Sequence, residues 1–233
     1  VRLIGCVNGY QDAAMLRRSL PALRRVVDVL VYVDGAYDGF PRYSETTAAS
    51  VDESLDVAHE YADVVILPSL WDEVRAPWPD EAIKRSAYFI GERDDYYLVV
   101  DADEIVEVLR EDGTINPIGK LDVAIMVERA DWLVTLQRAG DSPSSYGIHR
   151  LFRHRDRIRY HGTHHAVHVG NPPTIIHPRD LDAAKPDSVF PRLRLSHLWN
   201  QRDKDRVERK GVYYRDVLGP REYEFRAANG LGM

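Results

Sequence analysis

The sequence predicts an α/β fold: a mostly parallel sheet with helices on both faces, followed by a β-rich C-terminal half and a closing helix. Two observations predict it. Over the first hundred residues, short and near-continuously apolar segments alternate four times with helix-like segments. That alternation marks strands buried on both faces by crossover helices. Beyond residue 110 the pattern changes to short β candidates between turns such as Arg138-Ala-Gly-Asp141 and Gly170-Asn-Pro-Pro173. With no internal repeat and no linker-like stretch, residues 1–233 are expected to form one domain, with halves 1–110 and 111–233.

The elements follow in order. Residues 2–7 read as a buried strand. Asp12 is placed to cap a helix carrying Leu16, Leu20 and Leu23, which Pro21 should kink or split. Residues 29–33 form a second strand ending at Asp34-Gly35. Val51, Leu55, Ala58 and Ala62 stand at helical spacing, and Val64 to Leu67 is a third strand. Pro79 opens a helix with Asp80 and Glu81 in its first turn, where carboxylates suit the helix dipole. Ile83, Ala87 and Ile90 are its expected buried stripe. Tyr97 to Val100 is a fourth strand, ending at Asp101. Residues 122–127, 132–136, 147–153, 157–160, 164–169, 174–177 and 193–197 are strand candidates. Val207, Gly211, Tyr214 and Leu218 suggest a closing helix over 203–218.

Composition narrows the function. Of 233 residues, 44% are hydrophobic and 29% charged, which excludes collagen-like and largely disordered readings. The single cysteine, Cys6, excludes a disulfide scaffold and a Cys-based zinc site. No apolar run approaches the ~20 residues of a membrane span. No secretory signal is seen, since Val1 leads almost directly into a strand-like segment, and a cytoplasmic location is expected. The net charge of −6 argues against gross nucleic-acid binding, while leaving room for a local basic patch.

In open parallel sheets, ligands bind beyond the carboxyl ends of the strands. Two strands here end in acids: Asp34-Gly35-Ala36-Tyr37-Asp38-Gly39 and Asp101-Ala102-Asp103-Glu104. Residues two apart on an extended chain point the same way, so Asp101 and Asp103 could offer two carboxylates to Mg²⁺ or Mn²⁺. Asp-x-Asp occurs three times, at 101–103, 180–182 and 203–205, as composition alone would produce. Only the first follows an apolar strand of the parallel half, and context rather than the string singles it out. The other reading of these acids is a solvated turn.

Together these segments resemble glycosyltransferase family 2, nucleotide-sugar enzymes of the GT-A fold. The resemblance rests on Val33-Asp34-Gly35-Ala36-Tyr37-Asp38-Gly39, on Glu81-Ala-Ile-Lys84-Arg85-Ser86 and on Tyr97-Leu-Val-Val-Asp101-Ala102-Asp103-Glu104, and covers roughly the first 110 residues. Val33 stands where that family has a first Asp, and Ala36 where it has Ser. The resemblance implies a metal-dependent, inverting transfer from a nucleotide-sugar, UDP-sugars favoured, to a hydroxyl acceptor. It implies donor contacts by Asn8, Asp34, Asp38, Lys84, Arg85, Asp101 and Ala102, with Asp34 on the base or ribose. Mn²⁺ or Mg²⁺ would be held by Asp101, Asp103 and, as the family's late histidine, His197. The family's base-bearing segment falls near Glu128 and Asp131, with Asp131 the first choice. His164 and His165 follow, because Ala166 replaces the family's Glu in the segment 157–166.

Arg150, Arg153, Arg155, Arg157 and Arg159 form the strongest basic series. They read either as a solvated hairpin or as an acceptor site, with Arg153, Arg157 and His164 meeting a phosphate-bearing acceptor such as a lipid-linked sugar or a modified nucleic-acid base. Seven of nine histidines lie between His149 and His177, which raises a zinc alternative through His161, His164 or His165, and His168. Two other classes compete. A nucleotidyltransferase would use the same metal site, but the loop Val7-Asn8-Gly9-Tyr10-Gln11-Asp12 holds one Gly and no Lys or Arg. A non-catalytic nucleotide- or carbohydrate-binding module should lack the metal carboxylates.

Overall fold

A computed structural model describes residues 1–71, 74–110, 112–129, 133–138, 148–154, 157–161, 163–169, 174–176, 189–197, 204–220 and 224. The N-terminal half contains β1 (Leu3–Asn8), α1 (Ala13–Arg24), β2 (Val29–Val33), α2 (Ser54–Tyr61), β3 (Val64–Ile66), the short pair β4 (Leu70–Trp71) and β5 (Val74–Arg75), α3 (Glu81–Ser86) and β6 (Tyr96–Asp101). Then come β7 (Glu104–Leu109), β8 (Ile115–Pro117), α4 (Lys120–Arg129), β9 (Leu133–Arg138), β10 (Ile148–Arg153), β11 (Arg159–His161), β12 (Thr163–Val169), β13 (Thr174–Ile176), β14 (Val189–His197) and α5 (Lys204–Tyr213). A π-helical turn, Tyr214–Leu218, continues α5.

The α/β architecture expected from the sequence is present. Nine strands form one sheet in the order β3-β2-β1-β6-β10-β9-β14-β7-β8. Its first four strands are parallel, and the remainder is mixed. Both faces of the parallel strands are buried because their apolar residues alternate sides. Leu3 and Val7, Leu30 and Tyr32, and Leu98 and Val100 pack with Leu16, Leu20 and Leu23 of α1, Val57 of α2 and Val123 of α4. Ile4 and Cys6, Val31 and Val33, and Tyr97 and Val99 pack on the other side with Ala82 of α3 and with Tyr160 and Val167 of a small sheet β11-β12-β13. Period-2 alternation thus explains why the strands read as continuous apolar runs.

Four sequence expectations are corrected. Residues 122–127 lie in α4, not in a strand; Val123 and Val127 meet the core at helical spacing, and an apolar run this short fits either state. Pro21 does not split α1, because the buried Leu16, Leu20 and Leu23 hold it on the sheet and proline removes a single backbone bond. Ile83 of α3 and Ile90 beyond its end are exposed, and Glu81, Ala82, Lys84 and Arg85 are buried instead. In α5, Val207 and Gly211 are exposed, and Arg206 and Tyr213 are buried. Both helices turn charge inward, toward one cleft.

Candidate functional site

The sheet reverses its winding beside β1. From β1 the chain builds outward to β2 and β3, then crosses back to place β6 on the other side of β1. A crevice opens at the carboxyl ends of strands at such a switch point. Here the two ends are Asn8 and Asp101, which are in register, and the Asn8 amide Nδ2 donates to Asp101 Oδ1 at 3.4 Å. The cleft above them has about 530 Å³ of empty space, the open solvent at its mouth included. Asn8, Asp101, Ala102 and Asp103 form its floor. Lys84 and Arg85 of α3, Arg206 and Lys210 of α5, and the rings of Tyr37, Phe40 and Tyr214 line it.

A chain of buried charges crosses the floor. Arg85 Nε donates to Glu81 Oε1 at 3.1 Å, and its Nη2 lies 2.8 Å from Asp101 Oδ1. Arg150 Nη2 donates to Asp101 Oδ2 at 3.3 Å and to Glu104 Oε1 at 2.6 Å. Glu104 Oε2 accepts the Asp101 backbone N–H at 2.9 Å. Burial works against the charge on both arginines, but Asp101 with Glu81, and Glu104 with Asp101, hold the guanidiniums well above their ordinary value. Arg150 reaches this position from a register shift between His149 and Leu151, and such irregularities re-aim a side chain.

The walls are fastened to the floor. Asp80 caps α3 by accepting the Ile83 N–H at 2.7 Å, which sets the helix start so that Lys84 and Arg85 face inward. Lys84 Nζ donates to the carbonyls of Gly9 at 2.6 Å and Gly35 at 2.5 Å, joining the turns that leave β1 and β2. Gly35 has φ +106°, a conformation that suits glycine, and a Cβ there would lie 2.2 Å from Pro68 Cγ. From α5, Arg206 Nε donates to the Tyr10 carbonyl at 3.0 Å, Nη2 lies 3.5 Å from Asp12 Oδ2, and the guanidinium covers the Phe40 ring at 4.8 Å. Lys210 lies 5.4 Å from the centre of the Tyr214 ring.

Of the residues singled out from sequence, Asn8, Lys84, Arg85, Asp101, Ala102 and Asp103 meet at this cleft. Asp34 does not reach it. Its carboxylate is fully buried, Oδ1 accepting from Tyr32 Oη at 3.0 Å and Ser50 Oγ at 2.6 Å, and Oδ2 from the Ser50 N–H at 2.7 Å. Burial raises its pKa against the opposing pull of Lys84 and these donors. Asp34 is therefore a strut beneath the loop, outside the lining of this cleft. Asp38 is exposed and lies outside the cleft lining. Glu128 is exposed on α4, because its segment became a helix over the far core, and it too is absent from the lining.

The basic series does not gather at this cleft. Arg153 is opposite Tyr96, the first residue of β6, and ion-pairs with Asp94. At ~3.3 Å per residue, that is about 16 Å from the Asp101 end. Arg157 is exposed in the turn before β11, at φ 62°, and is also absent from the lining. Neither meets the cleft, whereas Arg150, three residues before Arg153, lies under its floor. Asp131 lies outside the described residues, as do the side chains of His164, His165 and His197. The backbone of β14 runs antiparallel to β7 and ends with His197 in register with Glu104, next to Asp103 in the chain. Among the described residues no group of three His, Cys, Asp or Glu side chains converges as a metal site. Asp101 and Asp103 nevertheless bring carboxylate oxygens to the cleft, the donor type that Mg²⁺ and Mn²⁺ take.

Sequence reasoning missed Glu81, Glu104, Tyr37 and Phe40. The i,i+4 spacing of Glu81 and Arg85 was a usable signal for the first of these.

The sequence matches no protein-family model and no curated protein. Among solved structures the chain is similar to S. aureus TarS 1-349, with 13% identity and a TM-score of 0.40 over 63% of this chain and 39% of that one. For the same TarS piece in complex with UDP-GlcNAc the values are 13%, 0.41, 63% and 38%. For S. aureus TarS they are 14%, 0.38, 64% and 23%. The chain thus spans 39% or less of the TarS chains it matches.

Proposed function

We propose that this chain is a glycosyltransferase that moves a sugar from a nucleotide-sugar, a UDP-sugar in the first instance, to a hydroxyl acceptor with inversion. The observation that carries the reading is the cleft at the switch point, where two strand-end carboxylates, cations from two helices and aromatic rings converge. A nucleoside diphosphate needs each of these: rings for the base, cations for the phosphates, and hydrogen-bonding carboxylates for hydroxyls.

Breaking the bond between sugar and diphosphate builds negative charge on the leaving group. Cations already fixed in a partly desolvated cleft stabilise that charge without reorganising. Arg206 and Lys210 stand one helical turn apart on α5 and lie along the cleft, so they suit the two phosphates. Tyr37 and Phe40 line the cleft from the loop after β2. Asp101 lies between two guanidiniums and accepts from ligand hydroxyls, while Arg85 and Arg150 keep its carboxylate in place. Asp101 and Asp103, with His197, would hold Mn²⁺ or Mg²⁺. Such an ion supplies Lewis-acid neutralisation of the diphosphate, contributing several kcal/mol.

The test is a thermal-shift panel of uridine, guanosine and adenosine diphosphates with and without Mn²⁺. A ligand at a hundred times its Kd adds about 2.7 kcal/mol. In a domain of this size that is ~5–11 °C. Uridine diphosphate with Mn²⁺ should give the largest shift, and Asp103→Ala should remove the Mn²⁺ increment. No shift with any nucleoside diphosphate would overturn the reading.

A further inference from the structure

Lys84 is almost completely enclosed and yet lines the cleft. An ammonium carries three N–H donors. Two go to the Gly9 and Gly35 carbonyls, and among the described residues no protein atom accepts the third. Charged groups face it from each neighbouring element: Asp34 at the end of β2, Glu81 on α3, Asp12 before α1, and Arg206 on α5. The Tyr37 ring centre is 6.0 Å away. We propose that Lys84 gives its third N–H to an anionic oxygen of the ligand, so that loss of its proton releases the ligand while the fold stays intact. This rests on the reading of the cleft as a nucleoside-diphosphate site.

The chemistry of the amine makes the two effects separable. A neutral amine keeps two N–H donors, enough for both carbonyls, and the turns after β1 and β2 remain joined. In place of the third donor it presents a lone pair, which repels an anionic oxygen. Burial lowers the Lys84 pKa to about 8, with Asp34 and Glu81 opposing that shift. The change of state therefore falls in a pH range the protein can be studied in. The sign follows: the anion-binding form is present below about pH 8 and is lost as pH rises through it.

The experiment is calorimetric titration of the wild-type chain with uridine diphosphate, in EDTA, from about pH 7 to about pH 9, with circular dichroism as the control on folding. Affinity should fall about tenfold across that range while the dichroism spectrum stays constant. Lys84→Met should bind at about pH 7 with the affinity the wild type has at about pH 9, and without pH dependence. The wild-type series needs no variant to fold. A flat wild-type affinity, a Lys84→Met affinity that keeps the wild-type slope, or a spectrum that changes with affinity each overturns the assignment of Lys84. Absence of uridine diphosphate binding at every pH, with Mg²⁺ as well as in EDTA, overturns the nucleotide reading along with it, and is distinguished by that absence.

Discussion

Replacing Arg150 with methionine tests the charge chain under the cleft. Methionine keeps much of the volume and removes the guanidinium that donates to Glu104 at 2.6 Å and to Asp101 at 3.3 Å. Asp101 retains Arg85 at 2.8 Å. Glu104 has no exposed side-chain surface, and its other oxygen accepts the Asp101 N–H. Removing one partner of a buried ion pair costs about 3–5 kcal/mol, because the other charge is left without compensation. At ~2–4 °C per kcal/mol for a domain of this size, the melting temperature should drop by ~6–20 °C. Pairing Arg150→Met with Glu104→Gln should recover most of the loss, since the glutamine oxygen still accepts the Asp101 N–H and neither of the two positions then carries a charge. Urea denaturation of the wild type, both single variants and the double variant gives the coupling energy directly. A loss below ~1 kcal/mol in Arg150→Met, or a double variant whose loss is the sum of the singles, would show that Glu104 and Arg150 are not a coupled buried pair.

Three shorter predictions follow from the same geometry. Asp34→Asn should cost ~1–3 kcal/mol, because its amide nitrogen would face the Ser50 N–H; preference among nucleoside diphosphates should survive, and its loss at unchanged stability would return Asp34 to the ligand site. Because folding raises the Asp34 pKa, this carboxyl's contribution to stability falls as pH rises from the unfolded value of 3.8 through the folded one, and Asp34→Asn should remove that component from the pH–stability profile. Gly35→Ala should lower the urea midpoint by ~1–3 kcal/mol equivalents, from φ +106° and the contact with Pro68, and a neutral result would mean that the loop relaxes freely. Arg153→Ala should change stability by less than ~1 kcal/mol, since its pair with Asp94 is partly exposed, and should leave donor hydrolysis and sugar transfer equally untouched. Selective loss of transfer would place Arg153 back at an acceptor site.

The parallel half of the fold was legible in the residues. Leu3, Val7, Leu30 and Leu98 on one side, and Ile4, Cys6, Val31 and Val99 on the other, encode a sheet buried on both faces, and burial of apolar surface is a local, periodic property of a chain. The strand-end acids Asp101 and Asp103 were legible for the same reason, since the end of an apolar run marks the end of a strand. Which charges face inward was a matter for the tertiary structure. Ile83 and Val207 lie outside while Lys84, Arg85 and Arg206 lie inside, because each buried cation meets a carboxylate or carbonyl supplied from a distant part of the chain. Asp34 and Asp101 both end apolar strands, yet one is enclosed by Tyr32 and Ser50 and the other opens to the cleft. Arg150 and Arg153 belong to one basic series, yet Arg150 bonds Asp101 at the carboxyl end of β6 while Arg153 stands opposite Tyr96 at its start. Periodicity along a chain specifies a face; partners for a buried charge come from residues far apart in sequence, and only packing brings them together.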